Sequence, residues 1–136
     1  MFRYTHRVTY ADCTVGNHVY YARYLDWLEA ARGDFFRNLG AALLDWQAQG
    51  VIFPVVEARQ RYHAAARYDD TVAIELWPTA AAGARLNFAY RLRNQSGALL
   101  LEAETFHACT DLEGKPRRLP PELVARLQPS GDPQAG

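Results

Sequence analysis

The spacing of apolar residues changes twice along the chain, and each change marks a predicted element. Residues 2–10 alternate, with Phe2, Tyr4, His6, Val8 and Tyr10 on one side, which predicts a strand with one buried face. From about residue 22 to residue 39 the apolar positions recur every three or four residues, which predicts an amphipathic helix of about 27 Å. Its apolar arc comprises Tyr21, Tyr24, Leu25, Leu28, Ala31, Phe35, Phe36 and Leu39. Gly40 ends this helix, and a shorter helix or turn is expected at 41–49.

The rest of the chain predicts four further strands, a hairpin turn at 94–97 and a short C-terminal helix. The strands are expected at 53–66, 71–77, 85–93 and 98–109, and the helix at 119–127. Eight-residue strands span about 26 Å, which matches the long helix, so one antiparallel sheet can wrap it. The prediction is therefore an α+β fold in a single domain, 1–128, followed by a flexible tail, 129–136. The outer face of such a sheet would be polar and rich in arginine, which suits a partner subunit or an anionic ligand.

Composition and charge narrow the possible partners. The 136 residues are 49% apolar and 22% charged, which is typical of a globular protein, and the formal net charge is zero. No global charge attracts nucleic acid or an anionic membrane, so we expect neither as a partner. The two cysteines, Cys13 and Cys109, make neither a disulfide framework nor a metal site. Without a signal peptide or an apolar run of about 18 residues, we expect a cytoplasmic protein.

A polar loop precedes the long helix, and several of its groups could do chemistry. The first turn of a helix presents unpaired N–H groups that can polarise a carbonyl, although capping by Asn17 or Thr14 would also explain the loop. His18 could be a general base or an ordinary loop histidine. Cys13 could be a nucleophile, but buried thiols are more often inert. Asp12 could be a base, a partner of an arginine or a turn cap.

Arg32 interrupts the middle of the apolar arc of the helix. A buried arginine without a partner costs several kcal/mol, so a salt bridge is expected. Its predicted partner is a carboxylate such as Asp12, Glu57 or Glu29. The functional alternative is a cation held close to a reacting centre, and the two roles can coexist.

Three segments resemble a known family. The run YADCTVGNHVYYARYLDWLEAARGDFFRNLG (10–40) is similar to the signature of the 4-hydroxybenzoyl-CoA thioesterase family of hotdog-fold proteins. FPVVEARQRYHAAARYDD (53–70) and GKPRRLPPEL (114–123) resemble later segments of the same family. The resemblance covers nearly the whole chain and has the same order of elements. It implies a hotdog fold, in which a five-stranded antiparallel sheet wraps one long helix.

The resemblance also implies an activity and a site. Members hydrolyse acyl-CoA or acyl-carrier-protein thioesters as homodimers or homotetramers, with active sites at subunit interfaces. CoA then belongs to the substrate, and no separate cofactor or metal is expected. The backbone N–H that polarises the thioester carbonyl corresponds to Tyr21. The acid that attacks or activates water is the second Asp of an Asp-x-Asp motif.

The chain departs from that motif, because Thr14 occupies the position of the second Asp. A hydroxyl cannot act as a carboxylate base at neutral pH. His18 could be the base, as similarity to acyl-carrier-protein thioesterases suggests, or Glu57 could supply a carboxylate. Alternatively no base is needed, as in the similar enediyne polyketide thioesterases, whose helix arginine corresponds to Arg32.

The strand arginines and the missing carboxylate each leave two interpretations open. Guanidinium groups suit phosphate, so Arg59, Arg61 and Arg85 could bind the phosphates of CoA, or they could belong to a solvated strand face. The alternative to a thioesterase is a hotdog protein that binds acyl thioesters without hydrolysing them. A dehydratase of the same fold is a weaker third hypothesis.

Overall fold

The computed structural model describes residues 1–129 and 131–132. The long strands are β1 (Phe2–Arg7), β4 (Val55–Tyr62), β5 (Thr71–Ala82), β6 (Arg85–Arg93) and β7 (Leu99–Ala108). Two very short strands, β2 (Cys13–Thr14) and β3 (His18–Val19), lie between β1 and the first helix. The helices are α1 (Arg23–Asn38), α2 (Leu43–Ala48) and α3 (Pro121–Leu127). None of the helices in these described ranges is long and apolar enough to cross a membrane.

The five long strands form one antiparallel sheet in the order β1-β5-β6-β7-β4. Hairpins join β5 to β6 and β6 to β7, whereas β1 and β4 occupy the two edges. The helix α1 lies across one face of this sheet and packs against β1 and β5. This confirms the predicted α+β hotdog architecture.

The core lies between α1 and the inner face of the sheet. From α1 it contains Tyr24, Trp27, Leu28, Ala31, Phe35 and Phe36. From the three central strands it contains Val72, Ile74, Leu76, Leu86, Phe88, Tyr90, Leu92, Leu101 and Ala103. Alternate residues of these strands face the other side, because successive side chains of a strand point to opposite faces.

The predicted apolar arc of α1 is wrong at one margin. Tyr21 and Leu25 are 63% and 40% exposed, whereas Trp27, which the prediction left out, is only 4% exposed. Trp27 packs between His6 and Tyr24, with ring centroids 4.6 and 4.9 Å away. α1 packs against β1 and β5, and this packing leaves Tyr21 and Leu25 exposed in the described part of the chain.

Three strand boundaries also differ from the prediction. β1 ends at Arg7, because Thr9 begins a 3-10 turn whose first N–H is capped by the side chain of Asp12. β4 ends at Tyr62 rather than continuing to residue 66. β5 continues to Ala82, since a register shift between Pro78 and Ala80 accommodates the proline beyond the end of β1.

The predicted tail is only partly described. Asp132 accepts a hydrogen bond from Arg91 at 2.8 Å, so this part of the tail contacts the outer face of the sheet. Arg91 also lies 3.6 Å from Glu75, a buried carboxylate that Arg93 approaches to 3.4 Å. Residues 130 and 133–136 lie outside the described residues.

Candidate active site

The polar loop before α1 is a small β-hairpin that brings Thr14 and His18 together. The two residues are direct partners in the β2–β3 ladder, joined by a three-residue turn. Gly16 and Asn17 both have positive φ, +87° and +62°, which a tight turn requires and which these two residue types tolerate. Side chains of directly opposed residues share one face, about 5 Å apart. Thr14 and His18 therefore point the same way from an exposed hairpin.

Asp12 anchors this hairpin. Its Oδ2 accepts hydrogen bonds from His6 Nε2 at 3.0 Å and from the Thr9 N–H at 2.9 Å. Its backbone carbonyl accepts from the Tyr20 N–H at 2.9 Å, so Asp12 also ties the hairpin to the start of the helix. Partial burial raises the pKa of Asp12, but the hydrogen bonds from His6 and Thr9 outweigh it and hold the pKa below the usual value. The Asp12 carboxylate is thus already occupied by hydrogen bonds that stabilise this turn.

The start of α1 carries a backbone donor that the fold leaves open. Among the described residues, no acceptor takes the Tyr21 N–H. The preceding carbonyl, Tyr20 O, accepts from the Arg23 N–H at 2.9 Å, and Tyr21 O accepts from the Tyr62 hydroxyl at 3.0 Å. These two bonds fix the peptide planes on either side of Tyr21. The helix dipole adds positive potential at this point.

Side-chain capping does not explain the loop, so that alternative is wrong. The N-cap of α1 is Ala22, and no side chain caps the helix. Asn17 instead accepts a hydrogen bond from the Tyr68 N–H at 3.0 Å, and Thr14 is exposed on the hairpin. The loop therefore leaves the Tyr21 N–H open within the described residues, whereas the N–H groups of Arg23 and Leu25 donate to the carbonyls of Tyr20 and Ala22.

A cleft of about 310 Å³ lies beside this helix start. His18, Tyr21, Tyr24, Tyr62 and His63 line it together with Val19, Ala64 and Ala65. Tyr62 and His63 were missed from the sequence as site residues. His63 Nε2 lies 3.5 Å from Glu102 Oε2, so the cleft holds a second imidazole that has a carboxylate neighbour. The available signal was the position of His63 at the end of a strand that follows the helix.

Neither cysteine forms a disulfide or contributes to a metal centre. Partial burial and the carboxylates of Asp12 and Asp70 raise the pKa of Cys13, which keeps the thiol protonated at neutral pH. Burial raises the pKa of Cys109 as well. Within residues 1–129 and 131–132, no three His, Cys, Asp or Glu side chains form a group that could hold a metal ion.

The predicted salt bridge of Arg32 is wrong. Within the described ranges Arg32 belongs to no ion pair, and its Nη1 donates to the hydroxyl of Tyr90 at 3.1 Å. Of its predicted partners, Asp12 is held by His6, and Glu57 lies on the outer face of the sheet. Arg32 follows Tyr21 by eleven residues, which is about 16 Å along a helix, so it does not join the helix start of its own chain.

Glu57 and the strand arginines lie on the outer face, away from the hairpin. Glu57 pairs with Arg59 at 3.3 Å, and the Arg59 guanidinium stacks 5.0 Å from the centre of the Phe106 ring. Arg59 and Arg61 line an outer-face cavity of about 490 Å³. Arg85 is not part of it, because Arg85 lies opposite Ala108 near the other end of β6. The structure thus brings two of the three predicted phosphate-binding arginines together.

The fold and the open helix start define a class of protein, the hotdog thioesterases. Residues 8–127 match the family model of the thioesterase-like superfamily, and the chain belongs to this family. The match spans the hairpin, the three helices and every strand of the sheet except β1.

Relatives and solved structures agree with that assignment. The chain is 36% identical over 129 residues to the acyl-CoA thioester hydrolase YbgC of Escherichia coli O6:H1, covering 94% of this chain and 96% of that protein. The structure of protein TT1821 from Thermus thermophilus matches with a TM-score of 0.86 at 31% identity, over 93% of this chain and 97% of that one. Slr0204, a 1,4-dihydroxy-2-naphthoyl-CoA thioesterase from Synechocystis, matches with a TM-score of 0.85 at 26% identity, over 93% and 94% of the two chains.

Proposed function

We propose that this protein hydrolyses acyl-CoA thioesters in the cleft at the start of α1, by attack of water on a carbonyl polarised by the Tyr21 N–H. Membership of the thioesterase family and the likeness to YbgC support thioester hydrolysis. The position of the proposed active site rests on one observation, the unpaired Tyr21 N–H, whose direction is fixed at the N-terminus of a 16-residue helix. A donor of this kind stabilises the oxyanion that forms when water adds to a thioester.

His18 is the proposed general base. It is the partner of Thr14 across the hairpin and lines the same cleft as Tyr21, which supports the assignment. The two acids that could replace it are less suited, because Asp12 is engaged by His6 and Glu57 pairs with Arg59 on the outer face. Thr14, being neutral, can orient the attacking water by a hydrogen bond.

A panel of acyl-CoA substrates with 2 to 16 carbons, assayed with a thiol reagent, tests the activity. We expect CoA release for at least one chain length, falling by about 100-fold in His18→Asn. His63→Asn is the matched control, since it removes the second imidazole of the same cleft. If His63→Asn is inactive and His18→Asn is not, the base is the imidazole beside Glu102 instead.

One observation favours the second candidate function, an acyl-thioester binder without turnover. Thr14 leaves the hairpin without the carboxylate of the family motif. A binder would be stabilised against heat by acyl-CoA and would release no CoA at any chain length. Stabilisation with turnover excludes it.

We further propose that the protein is a homo-oligomer whose copies meet along β4. This strand has an open edge, its side chains are largely exposed, and Val56 is 66% exposed. Light scattering after gel filtration should give a dimer or a tetramer. Val56→Glu should shift the mass toward the monomer, whereas Leu44→Glu, at an exposed position on α2, should not. A monomeric wild-type chain would contradict the proposal.

The nucleotide end of CoA is proposed to contact Arg59 and Arg61. Their position beside one outer-face cavity supports this, whereas Arg85 lies apart. Arg61→Gln should raise KM for acyl-CoA and leave KM for the matching acyl-pantetheine unchanged. An acyl-carrier protein remains the alternative substrate, and it would be preferred over both small thioesters at equal concentration.

A further inference from the structure

A second cavity lies at the other end of β4 from the helix-start cleft. It measures about 230 Å³ and is bounded by α1, by Leu43 of α2 and by the segment that leads into β4. Its wall is mainly apolar, with Phe36, Phe53 and Phe88 as the largest side chains. Arg32, His107 and Glu29 also line it, so two nitrogen-bearing groups and one carboxylate face an otherwise apolar space.

A buried chain of hydrogen bonds links those two groups through the inner face of the sheet. Arg32 Nη1 lies 3.1 Å from the Tyr90 hydroxyl, which lies 2.6 Å from Thr105 Oγ1. Thr105 Oγ1 lies 2.8 Å from His107 Nε2, and His107 Nδ1 lies 3.0 Å from the Phe53 carbonyl oxygen. Tyr90, Thr105 and His107 are all buried.

The donor and acceptor of each hydrogen bond in this series can be assigned. The Phe53 carbonyl can only accept, so His107 carries its proton on Nδ1 and accepts at Nε2. Thr105 therefore donates to His107 and accepts from Tyr90. The hydroxyl oxygen of Tyr90 is then left to accept from Arg32, which can only donate. Burial lowers the pKa of His107 to about 4, and this keeps the imidazole in the neutral form that the assignment requires.

We propose that Tyr90, Thr105 and His107 are positioning residues that hold the Arg32 guanidinium in the cavity wall, where it binds an oxygen atom of the acyl group. This inference rests on the proposed thioesterase function and names its substrate class. The acyl groups concerned carry a hydroxyl, keto or carboxylate oxygen remote from the thioester.

Two further observations support a ligand oxygen at Arg32. Arg32 belongs to no ion pair within residues 1–129 and 131–132, and only its Nη1 hydrogen bond to Tyr90 is made. A partly buried guanidinium with open N–H groups forms strong, charge-assisted bonds to oxygen. Its distance of about 16 Å along α1 from Tyr21 places it beyond the reach of a thioester carbonyl bound at the same chain's helix start.

Pairs of substrates that differ only in a terminal oxygen test the inference. Straight-chain acyl-CoA and ω-hydroxyacyl-CoA of 6 to 12 carbons are compared in kcat and KM. At one or more lengths the hydroxylated member should have a KM about tenfold lower, the size of one hydrogen bond to a charged group. Tyr90→Phe, Thr105→Val and His107→Leu should abolish this preference, so that within each variant the two members of a substrate pair have the same KM.

Conservative variants separate positioning from a merely structural role. Thr105→Ser and His107→Gln each retain a donor and an acceptor, so both should retain the preference. Loss of stability alone would affect the two members of a substrate pair equally. If the wild-type KM values of the plain and the hydroxylated acyl-CoA are equal at every length, the inference is overturned. A folded Tyr90→Phe variant that still prefers the hydroxylated member overturns it as well.

Non-hydrolysable S-alkyl-CoA thioethers, with and without a terminal hydroxyl, distinguish this inference from the proposed function. A hydroxyl preference in thioether binding without hydrolysis of any thioester supports the inference and contradicts the activity. Hydrolysis without any preference does the reverse. Absence of both binding and hydrolysis overturns both.

Discussion

Acidification should destabilise the folded protein through His107. Burial, opposed by the hydrogen bond to Phe53 and assisted by the charge of Arg32, lowers the pKa of His107 from 6.5 to about 4. Between these two pH values His107 is protonated in the unfolded chain and neutral in the folded chain, so the free energy of unfolding falls as the pH falls. The loss is about 2 kcal/mol at pH 5 and approaches about 3 kcal/mol below pH 4.

Urea unfolding at about pH 7.5 and about pH 5 measures this loss, with His107→Gln as the matched variant. Glutamine preserves an acceptor and a donor but does not titrate in this range. The variant should therefore lose about 2 kcal/mol less than the wild type over the same interval, whatever its stability at neutral pH. Because other titrating groups are common to both proteins, their contributions cancel in the difference. Equal losses in the two proteins, or an NMR titration of His107 centred near 6.5, would refute the reasoning.

Three further substitutions probe the core, the hairpin and the helix start. Leu28→Ala removes a fully buried side chain between α1 and the sheet and should cost about 3 kcal/mol in urea unfolding. Gly16→Ala places a side chain on a residue with φ of +87° and puts its Cβ 3.2 Å from the His18 ring. We expect kcat to fall several-fold, while the melting temperature changes by only a few degrees. Tyr62→Phe removes the hydrogen bond to the Tyr21 carbonyl, which should lower kcat about fivefold with little change in urea stability; an unchanged kcat would show that this bond does not orient the helix start.

The elements themselves were predictable because each depends on local periodicity. The limits of α1 lie within a residue of the prediction, and the alternation of Leu86, Phe88, Tyr90 and Leu92 did place them on one buried face. The position of β4 beside β7 was not predictable, since the partner of a strand is chosen by contacts far apart in sequence. Nor was the exposure of Tyr21 and Leu25 predictable. A helical projection gives the apolar arc, but not which part of it the sheet covers.

The candidate site was predictable only where it lies within one stretch of chain. The pairing of Thr14 with His18 needs only the turn at Gly16 and Asn17. The partner of Arg32 is Tyr90, which lies 58 residues further along the chain, and physical expectation favoured a carboxylate because charges pair. A signal existed in β7, where Thr105 and His107 alternate with Glu104 and Phe106 and so place two polar groups on the apolar face.

The neutral Thr14 also changes what the helix start must contribute. A carboxylate at this position would stand close to the oxyanion that forms on the thioester, and like charges repel. In the proposed mechanism Thr14 removes that repulsion, so the Tyr21 N–H and the helix dipole act on the oxyanion without an opposing charge. The cost is the loss of a base that is ionised at every physiological pH, and an imidazole replaces it only where it is neutral. In the proposed mechanism, the neutral Thr14 therefore makes polarisation of the carbonyl more important than activation of the nucleophile.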